Sequence, residues 1–172
     1  MSSYSRIKNR IIAKIITRFP SLAKRLVASF TPWESEDIPW TPASRPLSAS
    51  QVALVTTAGV HHKTQTPFDM QDPDGDPTYR EISGGSVLSD LMITHDYYDH
   101  ADADKDMNVV FPLDRLNELQ RENIIGRVAG RHYSFMGHID GSHISTLVAR
   151  IAPEVARKLK DDHTDIVLLT PG

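Results

Sequence analysis

The chain contains no cysteine, and this absence excludes several kinds of chemistry within its 172 residues. Disulfide bonds, a thiol nucleophile and cysteine-ligated zinc or iron–sulfur centres all require that residue. A long apolar run is missing too. The apolar segment at residues 11–16 is interrupted by Lys14 and is far shorter than the roughly 20 residues that span a bilayer. We therefore expect a soluble, cytoplasmic protein.

Acidic residues are absent from the first thirty positions, whereas seven lysines and arginines lie there. The whole chain carries a net charge of -3, so residues 31–172 carry a net charge of -10. An acidic body is a poor partner for nucleic acid, whose phosphates bind cationic surfaces. We therefore expect no nucleic-acid partner.

Residues 1–30 form the first of three predicted regions, a basic amphipathic helix. Ile7, Ile11 and Ile15 recur on one side of it, with cationic residues on the other. Pro20 is expected to break or kink the helix. The pattern is typical of a helix docked on the body or on a partner subunit, which we prefer, but also of a membrane-surface anchor or an organellar transit peptide.

The other two regions are a tether and a folded domain. Residues 31–50 contain four prolines together with Trp33 and Trp40, which is typical of an extended segment whose indole rings pack on a surface. Residues 51–172 alternate between strand-like and helix-like segments. That alternation predicts an α/β domain with an open, mostly parallel sheet and flanking helices.

Seven elements are predicted in this domain. They are strands at residues 51–59, 78–82, 87–94, 131–138 and 165–172, and helices at residues 112–122 and 144–160. The first strand contains an apolar run closed by a glycine, as in strands buried on both faces of a parallel sheet, and the last strand is also predicted to be buried. The third strand is apolar enough to be central. Pro153 is expected to kink or break the last helix.

Four of the predicted strands end in glycine or histidine. Ligands of open α/β sheets bind beyond the carboxyl ends of the strands, where these groups would converge if the strands are parallel. The ends are Gly59 to His62, Thr94 to Asp96, Gly137 with His138, and Thr170 to Gly172. Because histidine titrates near neutral pH, His61 and His62 are candidate acid–base groups, with a plain surface loop as the alternative.

Residues 95–106 form the most conspicuous polar segment, in which histidines and carboxylates are interleaved. Three interpretations stay open: contacts to a substrate or partner, a metal site, and a solvated acidic loop. A metal-dependent enzyme would use His61, His95, Asp99 and His138. A dinucleotide site has no support, because no Gly-x-Gly-x-x-Gly motif follows the first strand.

Several further segments occur in a characteristic order. They are Val52 to His61, Pro67 to Asp69, Gly75-Asp76, Tyr79-Arg80, Ile93 to His95, Tyr98-Asp99, Asp106 to Leu116, Ile125-Gly126, and Asp165 to Gly172. In this order and combination they resemble selenoprotein B-type subunits of the glycine/sarcosine/betaine/D-proline reductase family. The resemblance runs from about residue 33 to the end of the chain and leaves the basic helix outside it.

The resemblance implies a reductase that cleaves a carbon–nitrogen bond in a small amino-acid-like substrate. It places a selenocysteine or cysteine directly after the last strand, so we expect the chain to be truncated just before that nucleophile and to be inactive alone. No cofactor is expected in this chain, although a pyruvoyl group is implied on a partner subunit of some members. The implied partners are other reductase subunits or a thiol or selenol electron carrier, and a homo-oligomer is compatible with this interpretation.

The resemblance also assigns roles to the candidate site residues. His61 and His95 become the candidate catalytic groups, within reach of the missing nucleophile. The candidate substrate-binding residues are Thr57, His62, Asp99, Asp106, Asn108 and His138. A non-catalytic α/β binding or assembly subunit is the alternative from another class, and the metal-dependent enzyme is the third.

Overall fold

The structure, a computed structural model, describes residues 3–19, 21, 24, 28 and 41–172. The expected break at Pro20 and the indoles of Trp33 and Trp40 lie outside the described residues. Helix α1 spans Ser3–Arg18, within the first predicted region. None of the described helices is long and apolar enough to cross a membrane. The boundaries between the three predicted regions stay predictions.

A five-stranded sheet forms the centre of the domain. Strand β1 (Gln51–Thr56) lies parallel to β7 (Ile166–Thr170) on one side. Its other side pairs in parallel first with β5 (Arg127–Val128) and then with β6 (Arg131–Phe135). Strand β3 (Tyr79–Ser83) pairs antiparallel with β6. The prediction of a mostly parallel α/β sheet with flanking helices is therefore confirmed.

A separate two-stranded sheet pairs β2 (Val60–His62) with β4 (Leu91–Ile93) in antiparallel fashion. The prediction of a central strand at residues 87–94 is therefore wrong, since only its last part is extended and Leu88–Asp90 forms a 3-10 turn. The cause is Gly59, whose positive φ of 71° turns the chain out of β1 and away from the main sheet.

The helices follow the predictions with one difference. Helix α2 spans Leu113–Arg121. Helix α3 (Ser142–Thr146), a π-helical turn (Leu147–Ile151) and helix α4 (Ala152–Asp161) follow one another without a break. The expected kink or break at Pro153 is not seen. The proline lies in the first turn of α4, and the π-helical turn before it changes the hydrogen-bond register, so the lost N–H is tolerated.

Two apolar clusters pack the main sheet. Leu54, Phe111 and Leu113 belong to the larger cluster, formed with β1 and α2. Tyr133 and Val155 belong to the other, formed with β6 and α4. Fully burying one such side chain contributes about 1.5–3 kcal/mol, so these clusters fix the sheet that presents the strand ends.

Strand β7 differs from the prediction of a buried strand. Leu169 is 72% exposed, and Val167 and Leu168 are exposed to 37% and 40%. The reason is its position, because β7 pairs with β1 alone and no other described strand pairs with its outer edge. An apolar composition predicts burial only where a neighbouring element covers the strand.

Candidate functional site

Three strand ends meet at the carboxyl edge of the main sheet. The Thr57 backbone N–H donates to the Thr170 carbonyl oxygen at 3.0 Å, and the Gly59 N–H donates to the Phe135 carbonyl oxygen at 2.8 Å. The Gly172 N–H donates to Oγ1 of Thr57 at 3.2 Å. The ends of β1, β6 and β7 therefore converge, as the parallel arrangement predicts.

Two glycines make this convergence sterically possible. Gly137 has a φ of +88°, and a Cβ placed there would lie 2.4 Å from the Thr57 carbonyl oxygen. A Cβ at Gly59 would lie 2.4 Å from the Thr94 carbonyl oxygen. Both positions require glycine on grounds of backbone conformation and of space. Gly137 thereby brings His138, the next residue, to the end of β1.

Four aromatic rings lie beside these strand ends, and we call them the His–Tyr cluster. They are His95, Tyr97, Tyr98 and His138. The His95 ring meets the edges of Tyr97 and Tyr98 at centroid distances of 5.8 and 4.6 Å, and Tyr97 stacks on His138 at 4.0 Å. Ring pairs of this kind hold defined orientations, so the cluster is a structured wall beside the sheet edge.

The cluster is anchored to the sheet and to a neighbouring loop. The Tyr98 hydroxyl donates to the Ala58 carbonyl oxygen at 3.1 Å, directly after β1. Burial raises the pKa of Tyr98, which keeps this hydroxyl protonated as a donor. The His138 Nε2–H donates to the Pro73 carbonyl oxygen at 2.9 Å. The cluster therefore spans from the end of β1 to the loop before β3.

His95 is a neutral imidazole in this setting. Burial, helped by His100 and His138, lowers its pKa to about 4. Its Nδ1 accepts a hydrogen bond from the Tyr97 N–H at 3.0 Å, and a further hydrogen bond joins it to the Met136 backbone. The proton therefore resides on Nε2. Proton transfer through His95 would require one of these hydrogen bonds to open.

Helix α1 docks on the same loop through an ion pair. Nε of Arg6 lies 2.5 Å from a carboxylate oxygen of Asp96, whose side chain is buried. The hydrogen bond to Asp96 raises the pKa of Arg6. A small cavity of about 60 Å³ separates α1 from the loop, and Asp99 lines it together with Arg10 and Lys14. Asp99 thus faces cationic side chains of α1.

His61, the other candidate catalytic group, is fully buried. Its Nδ1–H donates to the His62 carbonyl oxygen at 2.9 Å, and its Nε2 accepts from the Thr94 hydroxyl at 2.8 Å. Burial is the main cause of its lowered pKa. Both ring nitrogens are satisfied. His61 adjoins the His–Tyr cluster through Thr94, which precedes His95 in the chain, and through Phe68, which packs in one apolar cluster with Tyr97. Its catalytic role stays a prediction.

The remaining candidates lie apart from the cluster. His62 ends β2 in the small sheet, and its Nδ1 is 2.8 Å from the hydroxyl of Thr64 in the following turn. Asp106 accepts hydrogen bonds from the backbone and side-chain amides of Asn108 at 3.0 and 2.9 Å, which lowers the pKa of Asp106. Asp106 and Asn108 line an open cavity of about 420 Å³ with Lys63. The structure therefore brings Thr57, His95 and His138 together at the edge of the main sheet. The candidates His62, Asp106 and Asn108 lie elsewhere.

The metal interpretation finds no support in the geometry. Within the part of the chain that the structure describes, no three histidine, aspartate or glutamate side chains are arranged so that they could hold a metal ion. His61 and His95 have their ring nitrogens in hydrogen bonds within the protein.

Some segments singled out in the sequence have a structural role. Asp76 is buried and accepts hydrogen bonds from the Asp69 and Thr78 backbone amides at 2.9 and 2.8 Å. The Arg80 guanidinium lies 4.2 Å from the Phe68 ring centroid. These contacts shape the loop before β3, which carries the acceptor of His138.

Sequence reasoning missed two partners in the site, Tyr97 and Arg6. Tyr97 and Tyr98 complete the cluster, and the sequence singled out Tyr98 only as part of the family resemblance. Arg6 was assigned only to a generic basic face. Its pairing with Asp96 links residues 90 positions apart, which no local pattern reveals.

The family model described as glycine/sarcosine/betaine reductase selenoprotein B matches residues 12–172. This match begins well before residue 33, where the resemblance in the sequence starts, and includes part of α1. No solved structure matches the chain.

Three curated relatives are similar to the chain over most of its length. D-proline reductase subunit gamma of Acetoanaerobium sticklandii is 39% identical over 133 residues, which cover 77% of this chain and 53% of the relative. Glycine reductase complex component B subunit gamma of Symbiobacterium thermophilum is 31% identical, with coverages of 77% and 31%. Sarcosine reductase complex component B subunit beta of Peptoclostridium acidaminophilum is 31% identical, with coverages of 77% and 30%. The chain thus spans about half of the first relative and about a third of the others.

Proposed function

We propose that the α/β domain is the substrate-binding scaffold of a reductase subunit, because the chain belongs to the glycine/sarcosine/betaine reductase selenoprotein B family. The curated relatives are named as subunits of reductases or their complexes. Other reductase subunits and a thiol or selenol electron carrier are therefore its proposed partners. Any pyruvoyl group would belong to a partner subunit.

One observation carries the proposed position of the reaction. The Gly172 N–H donates to the Thr57 hydroxyl oxygen at 3.2 Å. Gly172 also packs closely on Ala58, because a Cβ placed on Gly172 would lie 2.6 Å from the Cα atom of Ala58. The Ala58 carbonyl oxygen accepts the hydrogen bond from Tyr98. In a polypeptide that continues past Gly172, the next residue would emerge beside the His–Tyr cluster. We place the selenocysteine or cysteine there.

The chemistry at this position requires two electrons and two protons. A selenolate or thiolate attacks the substrate carbon, and the bonding pair of the carbon–nitrogen bond leaves with the nitrogen, which takes up a proton. A second thiolate then attacks the selenium or sulfur atom, and the released carbon takes up the other proton. The resulting selenium–sulfur or disulfide bond is reduced by the electron carrier.

The residues of this chain would bind and orient the substrate. The Thr57 hydroxyl and the His138 ring supply polar contacts at the sheet edge, and Tyr97 supplies an aromatic wall. Neutral His95 would keep positive charge away from the leaving nitrogen while its hydrogen bonds stay closed. His61 would fix Thr94, next to His95, and packs against Phe68.

Sequencing the gene downstream of Gly172 is the first test. An open frame that begins with a selenocysteine or cysteine codon supports the proposal, whereas a genuine terminator with nothing translatable beyond it favours a non-catalytic binding subunit. The extended protein, supplemented with partner subunits and dithiothreitol, should then cleave D-proline, glycine, sarcosine or betaine. Replacing the nucleophile by serine should abolish the cleavage. Failure on all four compounds would contradict the substrate class.

A further inference from the structure

Helix α1 exposes a stripe of large apolar side chains. They are Ile7, Ile11, Ile12, Ile15 and Phe19, and their exposures lie between 40% and 55%. Their spacing of three or four residues places them on one side of the helix. We call this set the α1 stripe.

The opposite side of α1 faces the body. Arg6 pairs with Asp96 there, and Ala13 is only 6% exposed. This is the reverse of an ordinary surface helix, which buries its apolar side and exposes its polar side. The body therefore holds α1 in an orientation that presents the α1 stripe to the surroundings.

Cationic side chains are interleaved with the stripe. Lys8 and Arg18 are both exposed, whereas Lys14 borders the cavity that faces Asp99. At about 100° per residue, Lys8 and Arg18 fall inside the sector that runs from Ile7 to Ile12. The prediction that the cationic residues lie on the other side of the helix is therefore wrong for these two. The occupant of this side must accept apolar side chains and positive charge at the same place.

We propose that α1 binds an anionic phospholipid surface, lying in the plane of the membrane with the α1 stripe in the acyl boundary. Long lysine and arginine stems can reach from such a boundary to lipid phosphates. A dry protein groove would bury Lys8 and Arg18 among apolar side chains, which is costly unless each finds a partner. Charge complementarity also favours this surface, because the first thirty residues carry seven cations and no acid.

The negative charge of the body does not prevent α1 from binding an anionic lipid surface. The loop around Asp96 lies on the other side of α1 from the stripe, and Arg6 neutralises its buried carboxylate. The proposal does not depend on the reductase assignment, since no residue of the stripe belongs to the His–Tyr cluster.

Co-sedimentation of the 172-residue protein with vesicles tests the proposal. We expect binding to vesicles that contain phosphatidylglycerol, little binding to pure phosphatidylcholine, and release by high salt. The double variant Ile11→Asn/Ile15→Asn should weaken binding about tenfold through lost apolar insertion. The double variant Lys8→Gln/Arg18→Gln should weaken it about as much through lost charge. The matched control Val87→Asn/Ile124→Asn, which removes two exposed apolar side chains from the body, should bind as the wild type does.

Several results would overturn the proposal. They are absence of binding to phosphatidylglycerol vesicles, equal binding to both lipids, and equal loss of binding in the control. Light scattering distinguishes the main rival: if the protein is a dimer that Ile11→Asn/Ile15→Asn dissociates, without vesicle binding, then a second copy covers the stripe. Circular dichroism of each variant checks that the fold is retained, and the charge variant keeps the test decisive if the apolar variant unfolds.

Discussion

The ring of Tyr97 stacks on the ring of His138 with centroids 4.0 Å apart and an angle of 27° between the planes. The two residues come from different segments, one after β4 and one after β6. Because the His138 Nε2–H also donates to the Pro73 carbonyl oxygen, the imidazole is held both on its face and at its edge. This double restraint fixes the one histidine of the cluster that borders Gly137.

Tyr97→Ala should loosen this arrangement. Loss of the ring pair should lower the free energy of unfolding by about 1 kcal/mol and increase amide exchange in residues 95–98 and at His138. Urea denaturation and hydrogen–deuterium exchange measure the two effects. Tyr97→Phe keeps the ring and serves as the matched control. Equal behaviour of the two variants would mean that stacking does not hold the imidazole.

Gly137→Ala should be strongly destabilising. The new Cβ would meet the Thr57 carbonyl oxygen, and the positive φ at Gly137 disfavours any side chain. We expect a loss of at least about 2 kcal/mol in the free energy of unfolding, measured by urea denaturation. Gly130→Ala is the control, because no atom lies within 4 Å of a Cβ placed there. Similar losses at both positions would show that the close approach to β1 is not what requires glycine.

Because of the buried His132, we expect the free energy of unfolding to depend on pH. Its ring is fully buried, and burial lowers its pKa to about 4. An unfolded histidine titrates near pH 6.5, so the unfolded chain binds the extra proton first, and stability falls as the pH drops from about 6.5 towards 4. The full shift corresponds to about 3 kcal/mol. His95, whose pKa is also lowered to about 4, acts in the same direction.

His132→Asn should remove one of these two contributions. The asparagine side-chain oxygen can replace Nδ1 as the acceptor of the Leu54 N–H, which lies at 2.9 Å. The difference in unfolding free energy between pH 7 and pH 4 should shrink by about 2–3 kcal/mol in this variant. His163→Asn is the control, since His163 is exposed and its φ of 56° suits asparagine. An unchanged pH profile in His132→Asn would contradict the prediction.

Arg6→Gln should release α1 from the body. It leaves the buried Asp96 carboxylate without the guanidinium that now lies 2.5 Å away. Loss of a charge-assisted hydrogen bond costs about 1–2 kcal/mol, so limited proteolysis within residues 3–19 should accelerate about fivefold or more. Lys8→Gln, which alters an exposed cation on the other side of the helix, should leave the cleavage rate unchanged. Equal acceleration in both variants would indicate that overall charge, and not the ion pair, holds α1.

The order of strands and helices could be predicted because it depends on local pattern. The apolar run of β1 marks a strand buried on both faces, and the glycine and histidine residues at the strand ends do converge because β1, β6 and β7 are parallel. The positions of Thr57 and His138 at one edge follow from that topology alone.

The wrong predictions concern which strands pair with each other and whether another element covers a strand. Local sequence pattern encodes neither. An apolar composition suits both the main sheet and the small sheet, and only the turn at Gly59 decides that Leu91–Ile93 joins β2. Likewise, the apolar residues of β7 predict burial whether or not an element lies over them. The ion pair of Arg6 and Asp96 depends on a docking geometry across 90 residues, which charge patterning does not specify.

The π-helical turn at Leu147–Ile151 takes up about one residue more than an α-helical turn would. Removing one residue from it should therefore give a continuous α-helix and leave α3 and α4 in nearly the same relative orientation, with Val155 still packed under the sheet. His143 should keep its contact with Asp72 at 3.1 Å, and Asp72 directly precedes the acceptor of His138. The π-helical turn can thus absorb a change of one residue in chain length without displacing the imidazole of His138.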